Sequence, residues 1–438
     1  MDIDYKVIFY YRENSKACYI RDDDDTNKLL SIDIKELNKP ENKFHSFMMN
    51  NDYYKTYEDL VKYKNDFNQF HKEINSIWLK SKSGKKYKLD YKKYHNHNDA
   101  VLYYFFSKNE KSFMEEFEPI TEDEFYIFER CYNAGLITLN LEYKNKPVQT
   151  YGNDYSRYYT NLLINMKIPT KPGVKTTIKD LDNKLKFGIY RIKITYKNQK
   201  FTNIFNFSQE HHYTSTTLNY LMSVKDDYGL EFELLEPDET YNYNALIYDE
   251  KCLISGRDIF KDWFKSLETL RKKFPDNKLI KFLMSSLWGS LSAYNKLYLP
   301  NTDDYDATFM DDPEPSEYKI LGMTDEGEFK VVKPNNAYKY ALARLKPFLS
   351  AYGRLKIMKL LKEHNLEDNV IRIHTDGIVL NKFVDFSKLD IEYYPKPEAK
   401  TTGLMVYKNA IYGFHKCPKC EELFQYKEFK DHIKAGEC

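Results

Sequence analysis

Val370-Ile-Arg-Ile-His374-Thr375-Asp376-Gly377-Ile-Val-Leu380 is the stretch whose reading decides the fold. Its apolar residues alternate on either side of Thr375-Asp376-Gly377, which predicts two short antiparallel strands with the turn at Asp376-Gly377. A carboxylate is thereby held at the tip of a hairpin. A second one stands in Tyr151-Gly-Asn-Asp154-Tyr155-Ser156-Arg157-Tyr158-Tyr159-Thr160, where a strand is expected to end and a helix to begin. Between the two, Ile254, Ile259, Phe260, Trp263, Phe264, Leu267 and Leu270 follow helical spacing. Pro275 interrupts, and a second helix is expected over 278–291, the two forming an antiparallel pair. That second helix carries Lys281-Phe-Leu-Met-Ser285-Ser286-Leu-Trp288-Gly289. A further helix is expected over 336–363, and strands over 136–143, 190–196 and 200–207.

Each of these motifs alone occurs by chance; together, in this order, they supply what nucleotidyl transfer requires. In-line attack on phosphorus asks a protein chiefly for positioning and charge neutralisation. Two divalent ions roughly 4 Å apart hold the attacking and leaving oxygens. Mg²⁺ prefers carboxylate and phosphate oxygens, so two aspartates on adjacent strands are the least the chain must provide. Asp154 and Asp376 are the candidates. Lys281, facing a triphosphate, would offset the charge that builds on the leaving pyrophosphate. Ser285, Ser286 and Gly289, small residues on one helix, would let a nascent base pair approach closely.

The three motifs resemble motifs A, B and C of the family B DNA polymerases, in particular the protein-primed branch of phages, viruses and linear plasmids. In that family motif A reads Asp-x-x-Ser-Leu-Tyr-Pro, motif B Lys-x-x-x-Asn-Ser-x-Tyr-Gly and motif C Asp-Thr-Asp. Motif B matches here at Lys281, Ser286 and Gly289, with Ser285 in place of Asn and Trp288 in place of Tyr. Motif A matches at Asp154 and at Tyr159, where the family's tyrosine packs under the sugar and excludes ribonucleotides. Tyr132-Asn-Ala-Gly135 looks like the family's Tyr-x-Gly-Gly/Ala turn, which contacts the template, and Ser350-Ala-Tyr-Gly-Arg354 sits where the family has a helix before motif C. The likeness runs over about 55–412. It departs at His374, which replaces the first motif C aspartate, at Thr160, which replaces proline, and at Arg157, where serine is usual. A neutral imidazole is a poor Mg²⁺ ligand, so His374 would favour Mn²⁺ or weaken catalysis.

The resemblance implies an α+β right-hand polymerase with palm, helical-hairpin fingers and small thumb, plus a reduced exonuclease-like N-terminal domain and a C-terminal zinc knuckle. The divisions expected are 1–130 for the N-terminal domain, 131–252 for the first part of the palm with an insertion at about 167–235, 253–291 for the fingers, 292–395 for the second part of the palm, and 396–438 for the thumb. Asp154, Asp376 and Lys281 would be catalytic, with two Mg²⁺ or Mn²⁺ ions on the aspartates. Tyr155, Ser156, Tyr159, Arg271, Lys278, Ser285, Ser286 and Gly289 would meet the incoming nucleotide, and Tyr132, Gly135 and Thr375 the DNA. The implied partners are primer-template DNA, dNTPs and a terminal priming protein or other replication proteins, with synthesis onto a primer 3′ end or a protein hydroxyl. The alternative is a catalytically weakened, polymerase-like DNA-binding accessory of a viral replication complex.

Family members that proofread carry an Asp-x-Glu strand and an Asn-x-x-x-Phe/Tyr-Asp element, and neither is evident here. Asp2-Ile-Asp4 is a faint echo of the first, and Tyr63-Lys-Asn-Asp66 looks like the third exonuclease motif with one residue missing. At the other end, Cys417-Pro-Lys-Cys420, His432 and Cys438 give Cys-x2-Cys-x11-His-x5-Cys, which fits a tetrahedral structural zinc site. Cys18, Cys131 and Cys252 are expected as buried small apolar residues, Asp22–Asp25 as a solvated turn, and His211 and His212 at the surface.

Composition bounds these readings. Thirty per cent charged residues without a long one-sign block, and 42% hydrophobic, describe a chain that can bury a core. No run of 18 apolar residues predicts a membrane span. The first residues lack a basic leader followed by an apolar stretch, which leads us to expect a cytoplasmic or viral-factory protein of an infected cell, not a secreted one. Sixty-seven basic against sixty-six acidic residues leave a net charge of +1, which argues against a polyanion binder unless the signs are separated in space. The lysines of 80–93, 193–200, 271–281 and 416–434 are therefore expected to flank one groove.

Overall fold

The computed structural model describes residues 6–13, 15–37, 44–48, 56–75, 79–80, 86–87, 97–109, 115–131, 134–143, 148–155, 157–182, 184–238, 242–275, 278–312, 314–324, 327–386, 404–411, 414–416, 420, 422–425 and 432. The chain folds as two units, one of Met1–Glu116 with Ile259–Leu291 and one of Phe117–Asp258 with Ser292–Cys438.

The first unit opens with a four-stranded sheet in the order Leu30–Asp33, Lys16–Arg21, Lys6–Glu13, Phe44–Met48. Its first three strands run antiparallel and the fourth lies parallel to Lys6–Glu13. Alternation along Lys6–Glu13 turns Phe9 inward. There it meets Phe47 and the helix Tyr57–Asn75 through Phe67, with ring centroids 4.7–5.8 Å apart. The buried Lys64 of that helix donates to Arg21 O, Asp24 O and Asn27 Oδ1 at 2.8–3.0 Å, which satisfies its ammonium and pins the acidic turn. The turn itself is as expected, Asp23 pairing with Arg21 and Asp24 accepting from Thr26. The helices Gly256–Lys273 and Lys278–Leu291 are both present. The second packs on a third helix, His97–Phe106, whose Phe105 stacks on Phe260 at 5.4 Å.

The second unit is built on a seven-stranded antiparallel sheet in the order Leu423–Gln425, Phe414–Lys416, Leu404–Ile411, Gln149–Tyr155, Gly377–Leu380, Val370–His374, Ile137–Leu139. The helix Leu345–Glu363 is buried on nearly every side, its apolar and small residues interrupted by the buried Lys346 and Arg354, which are bonded to Glu129 and Ala134 O, and it packs against Tyr158–Asn165 and Glu122–Cys131. Just before it, the fully buried Arg344 makes a bidentate pair with Glu124 at 2.7 Å and donates to Glu118 O and Pro119 O. A second sheet, Val174–Thr176, Ala245–Ile247, Gly188–Thr195, His212–Thr214, also carries Glu231–Leu234. A third runs Leu297–Leu299, Phe329–Val332, Tyr318–Met323, Ala307–Phe309.

Three local expectations are corrected. Residues 200–207 are not a strand: Gln199–Asn203 is a 3₁₀ turn capped by the Asn198 side chain, and Phe201, Phe205 and Phe207 pack on one another at 4.8–5.8 Å. Their recurrence reflects an aromatic cluster and not a pleat. The helix expected from 336 starts at Leu345, because Tyr338 bridges Tyr294 in extended backbone and stacks on its ring at 5.3 Å. His212 lies buried at 3% exposure, and burial pushes its pKa down to about 3; its apolar-looking neighbours Tyr213 and Thr214 carry it into a sheet.

Candidate active site

Five residues stand opposite one another across the large sheet: Ile137, His374, Gly377, Asp154 and Met405. Residues paired directly across antiparallel strands share a face, so His374 and Asp154 lie on one face with Gly377 between them. A Cβ at Gly377 would come within 3.9 Å of Asp154 Oδ1. The hairpin turn is one residue earlier than the sequence suggested. His374 already pairs with Gly377, leaving Thr375 and Asp376 as the loop, and Thr375 rather than glycine takes the left-handed conformation at φ +63°. Gly377 serves as a gap between two polar side chains. Tyr155 N donates to Asp376 O at 3.1 Å, tying the loop to the end of the Asp154 strand. Asp154 and Asp376 thus line one recess of about 310 Å³, together with Gly152, Asn153, Arg372 and His374. Arg372 was not anticipated; its signal was its place two residues before His374 on the same strand face.

The loop is clasped from behind. Thr375 N donates to Leu136 O at 2.8 Å, and a Cβ on Gly135 would fall 2.7 Å from Thr375 Oγ1. Only a residue without a side chain allows this approach. Arg354, from the Leu345–Glu363 helix, donates to Ala134 O at 2.8 Å and fixes the clasp. Tyr132 lies outside the described residues, as does Ser156.

Below the recess the chain leaves its strand at Arg157, φ +57°, and enters the helix Tyr158–Asn165. Tyr158 is buried, and its hydroxyl donates to Gly353 O. Burial holds its hydroxyl far above the usual phenol range, with Tyr155, Tyr159 and Asp376 adding to the shift. It therefore stays neutral and acts as a prop. Tyr155 and Tyr159 pack on its ring at 5.2 and 5.4 Å, Tyr155 buried and Tyr159 half-exposed.

The remaining candidates belong to the first unit. Lys281, Ser285 and Gly289, four residues apart, form an exposed stripe along Lys278–Leu291, while Ile280, Leu283, Met284, Leu287 and Leu291 are buried. Ser286 is half-buried with its hydroxyl on Phe282 O. A Cβ on Gly289 would meet nothing within 4 Å, so packing within the described residues does not demand a glycine there. Arg271 is half-buried near the end of Gly256–Lys273, and Lys278 opens the next helix.

Of the proposed zinc ligands, Cys420 Sγ and His432 Nε2 are 3.5 Å apart, and Cys417 and Cys438 lie outside the described residues. Among the described residues no group of three His, Cys, Asp or Glu side chains is disposed to hold a metal ion. Two carboxylates on one recess still fit a hard divalent cation whose shell is completed by phosphate and water. The basic run 193–200 does not supply free charge: Lys193 pairs with Glu233, Lys197 with Glu231 and Lys200 with Asp368.

No family model matches the chain, and no curated protein sequence matches it. Among solved structures it is similar to phi29 DNA polymerase. The orthorhombic crystal form gives a TM-score of 0.52 at 12% identity, over 93% of this chain and 85% of that one. The complex with single-stranded DNA gives 0.51 at 13%, over 84% of this chain and 60% of that one. The binary complex with primer-template DNA gives 0.50 at 15%, over 84% and 61%. The chain thus spans about three fifths of the polymerase in those DNA complexes. The fold resembles that of phi29 DNA polymerase, with mixed helix and sheet.

Proposed function

We propose that the chain is a template-directed DNA polymerase that extends a primer 3′ end or a priming-protein hydroxyl by two-metal nucleotidyl transfer, without proofreading. The observation that carries this is the meeting on one recess of Asp154, at the end of its strand, and Asp376, in the loop that leads into the neighbouring strand. Divalent ions on the two carboxylates would neutralise phosphate charge and lower the pKa of the attacking hydroxyl. The chain's own part is to hold Asp154 at a strand end, to fix Asp376 in a loop clasped by Gly135, and to offer Tyr159 beside the sugar. Lys281, Arg271 and Lys278 are assigned to the triphosphate, and the Ser285–Gly289 stripe to the nascent base pair. In this reading the large sheet is the palm, Gly256–Lys273 with Lys278–Leu291 the fingers, and the C-terminal strands a small thumb braced by zinc. The N-terminal unit reads as a reduced exonuclease domain: Glu13 is the only carboxylate on its central strand Lys6–Glu13, and it accepts a hydrogen bond from Cys18.

The test is primer extension with Mg²⁺ and with Mn²⁺, with Asp376→Ala and Asp154→Ala as controls. Incorporation by the wild type that both variants abolish is the expected result, with Mn²⁺ favoured because His374 stands beside the carboxylates. Equal incorporation by wild type and Asp376→Ala, or none by either, would leave a DNA-binding accessory as the better reading.

A further inference from the structure

Asp154 and Asp376 share their recess with a cation. Among the described residues that line it, Arg372 is the only lysine or arginine. Its side chain is exposed and makes no hydrogen bond or ion pair with the described residues, so its charge is not spent elsewhere in the fold. A guanidinium keeps that charge at any pH at which a protein folds.

Strand register fixes where the charge stands. Arg372 pairs with Val379 and Val379 with Gly152; one row nearer the loop, His374 pairs with Gly377 and Gly377 with Asp154. The two rows lie on one face, about 7 Å apart along the strands. Gly377 and Gly152 carry no side chain, which leaves the recess open between Arg372 and Asp154. Two strands across and two residues along, shortened by the long arginine side chain, put the guanidinium about 10 Å from the Asp154 carboxylate.

Counting charge then limits what the recess holds. Two carboxylates and one guanidinium sum to −1 (−2 + 1), and His374, unlike a carboxylate, brings no negative charge. One divalent ion raises the sum to +1, and a second would raise it to +3, a charge that only an anion could offset.

We propose that Arg372 sets the ion count of this recess: its guanidinium stands in for the charge of a second divalent ion, so the nucleotide-free chain holds one ion on Asp154 and Asp376. The second ion of the transfer step enters with the negative charge of a nucleotide's phosphates. Arg372 acts on the resident ion at a distance and is not itself a ligand. The inference deepens the polymerase reading and rests on it only in taking divalent ions as what the recess binds.

The experiment counts Mn²⁺ on the full nucleotide-free chain by electron paramagnetic resonance titration, at 10 and at 150 mM salt. Recess ions are those lost in the double variant Asp154→Ala, Asp376→Ala, and the wild type should hold one. A unit charge about 10 Å from a divalent ion, at an effective dielectric of about 40, changes its affinity about 8-fold at the lower salt and about 2-fold at the higher. Arg372→Gln should tighten Mn²⁺ by those factors, and Arg372→Lys should keep the wild-type affinity, which separates charge from shape. Arg372→Glu takes the recess to −3 (−2 − 1), so two ions leave the same +1 that one leaves in the wild type, and the count should rise from one to two. No recess ion or two on the wild type, or an unchanged affinity in Arg372→Gln at the lower salt, overturns the proposal. Primer extension by a wild type that holds two ions would sink this inference and spare the polymerase. One ion, tightened by Arg372→Gln, on a protein that extends nothing would do the reverse.

Discussion

Replacing Gly135 by alanine tests how the Asp376 loop is held. The new Cβ would lie 2.7 Å from Thr375 Oγ1, 2.8 Å from its Cγ2 and 3.0 Å from its Cβ. The nearest of these falls about 0.8 Å short of the ~3.5 Å of ordinary contact (3.5 − 2.7). Rotating the Thr375 side chain does not solve the clash, because its Cβ is itself too close. Its backbone is committed too, at φ +63° with the amide on Leu136 O. Either the 134–136 segment or the loop must move. Overpacking of this kind costs about 1–3 kcal/mol. A loop displaced by about 1 Å would carry Asp376 with it and lower the rate about 100-fold. Urea denaturation and primer extension read the two effects separately. The double variant Gly135→Ala, Thr375→Gly removes all three contacts and should recover most of the stability, a coupling of more than about 1 kcal/mol in a double-mutant cycle. Additive effects of the two substitutions, or full activity in Gly135→Ala, would refute the clasp.

Arg344→Met should destabilise by about 3–5 kcal/mol in urea titration, because Glu124 would be left buried without its cationic partner; adding Glu124→Gln should recover part of that loss. His212 has a folded pKa of about 3 against an ordinary value near 6.5, so the unfolded chain takes up the proton first. Its contribution is complete above about pH 6.5 and is lost as pH falls from there toward 3. The stability difference between wild type and His212→Gln should therefore shrink by about 2 kcal/mol between pH 7 and pH 5, and parallel curves would contradict this. Zinc content by metal analysis should fall from one ion per chain to none in Cys420→Ser; equal content in the two proteins would remove the knuckle.

The chain's local chemistry was legible where spacing carries it. Alternation around Thr375-Asp376-Gly377 and the Tyr151–Thr160 strand end led to the two strands that the sheet places side by side. Helical spacing from Ile254 to Leu291 led to the two helices. The Lys281, Ser285, Gly289 stripe follows from the 3.6-residue period alone. These are properties of near neighbours, and periodicity reports near neighbours.

What needed the tertiary structure depends on residues far apart in sequence. That Gly377 is a gap and Thr375 the left-handed residue follows from strand register, set by Asp154 more than 200 positions away. That Gly135 must lack a side chain follows from where Thr375 lies. His212 looked like surface because histidine usually is; a sheet pairing buried it. The charges show the difference most plainly. The sequence counts Lys193, Lys197 and Lys200 as a basic patch, yet folding sets each beside a carboxylate. A net charge of +1 is fixed by composition, but the field it makes is fixed by which charges end up adjacent, and only the fold decides that.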